Sequence, residues 1–231
     1  MQASSWPISR SKPVSDPPDF DRLVRGRSAI RAFLPTPVPR EILLAALESA
    51  QHAPSNSNIQ PWRVAIVAGR TRDRLAAELT SYVREHGLSR IDLPEEFQAQ
   101  RRALGSQVYG SMGIERYDSE ARFLATLRNF NFFDAPTAAM VGLDGRLGIA
   151  DAAGVGMYLQ TLALALAARG VDTCIQVAPV MFPEVVRPVV GFSDQIDLVC
   201  AVAIGYRDPS APVNSVRSPR NPLSENVTFL E

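Results

Sequence analysis

The stretch that most restricts how this chain can fold is Ala152 to Ala168, AAGVGMYLQTLALALAA, 17 residues without a charge. Read as a helix beginning at Ile149 and closing at Arg169-Gly170, it is apolar nearly all round rather than along one stripe. Such a helix needs cover on every side. Gln160 interrupts it, Ala and Gly dilute it, and it falls short of the ~20 apolar residues of a bilayer span. It is expected as a buried core helix or as part of a subunit interface, not as a membrane anchor. Met1 to Asp19 lacks a basic-then-apolar signal pattern; polar and proline-rich, it is expected as a mobile tail or an arm laid on the surface. The chain reads as cytoplasmic.

At 231 residues, one large domain can bury a full core without disulfide or metal staples. The 24 basic and 24 acidic residues cancel, so no global field recruits nucleic acid or an anionic membrane. Of the basic residues only Lys12 is lysine, and it lies in the tail. That excludes a Walker-A loop and a pyridoxal Schiff base, both of which need a lysine in the folded body. Cys174, Cys200, His52 and His86 are the whole soft-ligand inventory, without C-x-x-C or H-x-x-x-H spacing, so no metal site is expected. Both cysteines sit among apolar neighbours and read as small buried hydrophobes. No G-x-S-x-G elbow supports a hydrolase. Packing is the expected role of His52, and His86 ends an exposed-looking helix.

Apolar spacing predicts helices over Glu41 to Ala53, from Thr71 to just before Gly87, from Pro94 through Gln107, over Asp118 to Phe132, over Ile149 to Ala168 and over Pro183 to Val190. Strands are expected at Trp62 to Val67, Thr137 to Val141, Thr173 to Val177 and Asp197 to Ile204, with a strand-like end at Val227 to Phe229. This interleaving gives an α+β, mixed α/β class. The tail (1–19) precedes a domain over 20–208. An arm (209–231), punctuated by four prolines, has too little apolar surface to stand alone.

Three segments concentrate groups that hold an anion or a planar heterocycle. Arg25 to Arg31 places three arginines within seven residues beside Ser28, fork-shaped donors suited to phosphate or, more blandly, a solvated basic face. Arg27 and Arg31 share a face if the segment is helical. Ala53 to Trp62, APSNSNIQPW, packs Ser and Asn amides and hydroxyls between two prolines ahead of a strand, denser than a capped turn requires. Asn214 to Arg220 lies in the arm and, taken alone, is a flexible basic stretch. Gly154-Val155-Gly156 is a poor dinucleotide fingerprint, because Leu159 stands where the third glycine belongs and the run is helical.

Together these segments resemble the flavin-dependent nitroreductase family. Its Arg-Arg-Ser-x-Arg-x-Phe type motif is matched by Arg27-Ser28-Ala29-Ile30-Arg31-Ala32-Phe33, and its Pro-Val-Pro-x-Glu helix start by Pro37-Val38-Pro39-Arg40-Glu41. The Ala-Pro-Ser-x-x-Asn-x-Gln-Pro-Trp signature is matched in full by Ala53 to Trp62, and Gly205-Tyr206 with Pro209, Pro212, Asn214, Arg217 and Arg220 is similar to the family's C-terminal arm. One departure stands out: Ala29 occupies the place of the usual serine, which removes a side-chain hydrogen bond.

The resemblance implies a central mixed sheet flanked by helices, an intertwined homodimer with the long helix in its core, and FMN as cofactor. It implies phosphate contacts from Arg27 and Arg220 with Ser28, Ala29 and Ser218 nearby, and Arg31 at the flavin pyrimidine. Pro54, Ser55, Asn56 and Asn58 would address the ring or ribityl edge, and Gln176, Val177 and Ala178 would face flavin N5, with Arg128-Asn129 as a weaker candidate. The implied chemistry is ping-pong hydride transfer from NADH or NADPH to a small-molecule nitroaromatic or quinone acceptor. Flavin-dependent oxidation or dehydrogenation, reductive dehalogenation, and a non-catalytic flavin-binding module are the alternatives. Arg101, Arg102 and Arg116 fit either a carboxylate-bearing acceptor or a solvated face.

Overall fold

The computed structural model describes residues 19–89 and 92–230. The tail expected over 1–19 lies outside these residues except for Asp19, which opens a helix the sequence patterning missed, α1 (Asp19–Gly26). The remaining helices are α2 (Arg40–Gln51), α3 (Gly69–His86), α4 (Gln98–Ser111), α5 (Ser119–Leu127), α6 (Ile149–Ala167) and α7 (Pro183–Val190). Strands β1 (Arg63–Ala68), β2 (Thr137–Asp144), β3 (Asp172–Gln176) and β4 (Ile196–Gly205) form one sheet in the order β1-β2-β4-β3. All three strand pairings are antiparallel; a single parallel bridge joins Ala29 to Thr173 on the outer side of β3.

Alternation along the two central strands separates two cores. Ala138 and Met140 of β2, with Ala201 and Ala203 of β4, meet α3 and α7 through Leu75, Leu79, Val83 and Val186. Ala139, Val141 and Leu143, with Cys200, Val202 and Ile204, meet α2 and α6 through Ala46, Ala50, Val155, Leu159 and Leu162. The sheet is thus sandwiched between two helical layers. Trp62 stacks on Tyr158 of α6 at 4.9 Å between ring centroids and donates its indole N–H to Gln51 Oε1 at 2.7 Å.

Helix α6 is long and apolar enough to cross a membrane by length and composition, yet it is a core helix with one side packed on the sheet and α2. Its other side, with Ala153, Gly156, Met157 and Gln160, lies open. Both cysteines are buried and free; burial pushes the Cys174 thiol up to about 11, against the smaller opposing pull of Arg31 and Arg27, and the Cys200 thiol up to about 12.

Three expectations differ from the structure. Helix α3 starts at Gly69 and has no side-chain cap from Thr71, because Gly69 at φ 52° turns the chain directly from β1 into the helix. The helix expected over Asp118 to Phe132 stops at Leu127, after which Phe132, Phe133 and Asp134 take φ of 51°, 54° and 68°. A left-handed residue costs about 1–2 kcal/mol. Burying an aromatic ring returns roughly 1.5–3 kcal/mol, and Phe132 and Phe133 are both buried. Packing outweighs helical propensity here. The third difference lies at the arm's end: Val227 to Phe229 pairs with no strand, and Val227, Phe229 and Leu230 stay exposed, because an extended segment becomes a strand only against a free ladder.

Gly205 ends β4 under close packing: an added Cβ would meet Pro136 Cδ at 2.9 Å and Phe33 Cδ1 at 3.1 Å. Gly205→Ala is expected to destabilise the protein by about 1–3 kcal/mol, the usual cost of overpacking. Urea unfolding followed by circular dichroism measures it. In the same experiment, Cys174 and Cys200 should resist a thiol reagent at pH 8 until the fold is lost.

Candidate functional site

The arginine segment is extended, not helical. Helix α1 ends at Gly26, and the chain then runs along the outer side of β3, where Ile30 N–H donates to Thr173 O at 3.1 Å. Helical geometry loses because the Ile30 side chain is fully buried in the core beneath the sheet. Further on, Phe33 N–H donates to Phe133 O and Leu34 N–H to Tyr206 O, which fixes the segment against the end of β4. Arg27 and Arg31 stand two residues to either side of Ala29, which bridges Thr173, so the two arginines flank that stretch of β3.

Asn214, which the sequence places in the arm's ligand-type segment, locks this arrangement. Its Oδ1 accepts from Arg31 N–H at 2.8 Å and Ala32 N–H at 3.2 Å, while Nδ2 donates to Ala32 O at 2.8 Å and Asp208 O at 2.9 Å. All three residues it joins are backbone positions that have no strand partner. Its role as a lock had no sequence signal, because an asparagine amid prolines is indistinguishable there from an ordinary turn residue. Nearby, the Arg207 guanidinium makes a two-pronged pair with Asp172 at the start of β3, with Nε–Oδ2 at 2.8 Å.

Two buried polar atoms in this region have no partner: Ser28 Oγ and Gln176 Oε1. Gln176 closes β3 and donates Nε2 to Asn129 O at 2.9 Å, so its oxygen alone is left over. Val177 follows, exposed, and Ala178 opens a short 3₁₀ turn. An unsatisfied buried acceptor or hydroxyl costs about 1–3 kcal/mol, which a polar ligand atom at the site would recover. The cations of Arg27 and Arg31 complete a set suited to an anionic ligand with a polar edge.

The amide-rich segment docks elsewhere. Ser55 Oγ accepts from Gln60 N–H at 3.0 Å, Asn56 Nδ2 donates to Asp151 Oδ1 at 3.3 Å, and Ser55 lies against Gly154, whose absent Cβ would stand 3.3 Å from Ser55 Cβ. Gly154 of α6 therefore serves close approach of this loop, whereas Gly156 faces open space. Ser57, Asn58 and Gln60 hold φ of 47°, 56° and 49°, three strained non-glycine positions in one short loop. Pro54, Asn56 and Asn58 are exposed. This loop feeds β1, whereas the arginine segment lies on β3, at the opposite edge of the sheet. Three inter-strand spacings, on the order of 14 Å, separate those edges. The chain thus brings Arg27, Ser28, Ala29, Arg31, Gln176, Val177 and Ala178 to one edge and Pro54, Ser55, Asn56 and Asn58 to the other.

Ser218 and Arg220 join neither group: both are exposed, and Arg220 bonds only to the carbonyls of Ser218 and Pro219. His52 is exposed at the C-terminal end of α2, which corrects the expectation that it packs; the helix simply ends before it can turn inward. His86 is exposed on the last turn of α3, as its sequence position implied, stacked on Tyr82. No cluster of three or more metal-ligating side chains occurs among the described residues.

A cleft of about 820 Å³ opens beside the β3-edge group. Arg31, Asn129, Phe133 and Val213 form one wall, and α4 with α5 forms the other. Its size is that of a small-molecule site. Arg101, Arg102 and Arg116 all line it.

A three-layer fold thus carries unpartnered polar atoms, two arginines and an adjoining cleft at one edge of its sheet. The chain belongs to the nitroreductase family, whose match spans residues 24–206. It is similar to the nitroreductase NfnB of Mycolicibacterium smegmatis, at 37% identity over 90% of this chain and 92% of that protein. Similarity extends to a 4-nitrobenzoate reductase of Pseudomonas putida, at 34% identity over 92% of this chain and 96% of the relative. The solved structure of the FMN-dependent NfnB from Mycobacterium smegmatis in complex with NADPH superposes with a TM-score of 0.86 at 36% identity, covering 92% of this chain and 98% of that one.

Asn214→Ala removes a buried side chain that satisfies four backbone groups. A loss of about 2–4 kcal/mol in unfolding free energy is expected from the stranded donors and acceptors. Thermal unfolding of the variant checks it, and an unchanged midpoint would count against Asn214 as the lock.

Proposed function

We propose that this protein is an FMN-dependent oxidoreductase that uses NADH or NADPH to reduce nitroaromatic or quinone-type acceptors. The observation that carries the reading is the pair of unsatisfied buried atoms, Ser28 Oγ and Gln176 Oε1, set beside Arg27 and Arg31 in a chain of this family. The FMN and NADPH dependence of the similar NfnB supports it. Bound FMN would supply two-electron hydride chemistry, taking hydride from the nicotinamide and passing it to the acceptor.

The chain's own residues have binding and orienting roles. Arg27 would hold the phosphate by charge-assisted hydrogen bonds with Ser28 and the backbone of Ala29, and Arg220 and Ser218, which join neither edge within one chain, would complete that shell from the arm. Arg31 places a positive charge where the ring gains electrons. Gln176, with Val177 and Ala178, meets the ring edge at the end of β3. Pro54, Ser55, Asn56 and Asn58 meet it from the loop before β1. Because this loop sits across the sheet from β3, one chain does not assemble the whole set, and we assign the active unit as a homodimer with a composite site. The open side of α6 and the exposed Val227, Phe229 and Leu230 of the arm are the apolar surfaces available for that dimer. Among the described residues no side chain at either edge is built as a proton donor, and the proton needed for acceptor reduction comes from solvent.

Purified protein is expected to be yellow, with flavin absorption lost together with retention in an Arg27→Ala/Arg220→Ala variant. Each arginine contributes about 1.5–3 kcal/mol to binding as a charged hydrogen-bond donor. Equal flavin occupancy in the variant and the wild type would sink the phosphate assignment. Steady-state NAD(P)H oxidation against a quinone should give parallel double-reciprocal lines, since donor and acceptor use one pocket in turn. His52→Gln should leave the rate within about tenfold, short of the 10²–10⁴-fold loss of a general acid.

A further inference from the structure

We propose that Arg122 anchors a carboxylate on the electron acceptor, so that nitroaromatic carboxylates are the preferred substrate class. The inference rests on the oxidoreductase reading above and names the substrate for its cleft. Among the described residues, six arginines line that cleft (Arg31, Arg101, Arg102, Arg116, Arg122 and Arg128) and one carboxylate, Glu115. A concave surface with such an imbalance focuses positive potential and draws in anions.

Arg122 is held in place without a carboxylate partner among the described residues. Its guanidinium carbon lies 3.9 Å from the centroid of the Tyr109 ring, a cation–π contact across the α4–α5 wall. The platform is itself tied: Tyr109 OH and Thr126 Oγ1 lie 3.2 Å apart, and Thr126 Oγ1 donates to Arg122 O at 2.8 Å, one turn back along α5. No carboxylate of the described residues pairs with Arg122. Arg128, by contrast, is already engaged by Asp134 at 3.3 Å, and Arg102 and Arg116 are exposed to solvent. An immobilised, unneutralised guanidinium binds an anion with little further ordering cost and can present a two-pronged donor to a carboxylate. Arg31 and Asn129 share the same cleft, so an acceptor held at Arg122 reaches towards the residues assigned to the cofactor.

The test compares 4-nitrobenzoate with its neutral isostere 4-nitrobenzamide on FMN-loaded wild type, Arg122→Gln and Arg122→Lys. Arg122→Gln should lower kcat/KM for the carboxylate by about 10–100-fold, chiefly through KM, and move the amide by less than about threefold. Arg122→Lys, which keeps the charge but loses the planar fork, should fall between. Benzoate titrated calorimetrically into the same proteins should weaken by the same factor in Arg122→Gln without any turnover. Equal losses on both acceptors, no loss on either, or a defect confined to NADPH as against NADH would overturn the assignment; the last would place the donor's 2′-phosphate at Arg122. If the wild type reduces neither acceptor, the oxidoreductase reading fails, and the benzoate titration still decides Arg122: unchanged affinity in Arg122→Gln overturns it, and lost affinity upholds the anion site.

Discussion

Every layer of this fold leans on β2, whose side chains from Thr137 to Leu143 are all buried. A strand covered on both faces favours apolar side chains, and small ones among them let large helical residues reach it. Ala138, Ala139, Ala201 and Ala203 supply that room at the centre of the sheet. Met140 and Ile204 of the same strands, the helices, and Trp62, Phe132 and Phe133 supply the bulk. The two strands that flank the β2–β4 pair are therefore edges, and the candidate ligand groups gather at those edges, where backbone and polar side chains remain accessible. The position of the site follows from how tightly the centre is filled.

Regular elements were legible because their signals are local. The spacing of Leu75 and Leu79 marked α3, the proline-led run marked α7 from Pro183 to Val190, and the apolar run Asp197 to Ile204 lies within β4. Failures arose where distant packing overrode local preference. Phe132 and Phe133 abandon helical angles because the core takes their rings, and α3 starts early because a glycine permits a turn that no pattern announces. Arg27 and Arg31 were recognisable as ligand-binding types, but their extended conformation depends on Thr173 and Asn214, which lie more than 140 positions away in sequence. Arg122 carried no signal at all in one dimension. Its distinction is the Tyr109 ring beneath it, and that contact exists only once α4 and α5 are folded together.

The amide-rich loop illustrates a different balance. Ser57, Asn58 and Gln60 each accept a left-handed backbone where glycine would be easier, at about 1–3 kcal/mol apiece. The cost is borne by contacts that over-determine the loop: the Ser55 hydroxyl, the Asn56 to Asp151 bond, and the close seat on Gly154. A loop shaped by its own backbone presents its side chains in one arrangement before any ligand arrives. That rigidity is useful only if something planar and polar is meant to meet it.

The division of the ligand groups between opposite sheet edges has a genetic consequence. In the proposed two-fold dimer each composite site would take its β3-edge half from one chain and its β1-edge half from the other. Two inactive alleles, one damaged at Arg27 and the other at Ser55, would therefore not be equivalent when mixed. Chains that carry the two lesions separately would combine into a dimer in which one site inherits both defects and the other inherits neither. Activity would reappear from two parents that have none, at half of the sites in every mixed pair, as intragenic complementation.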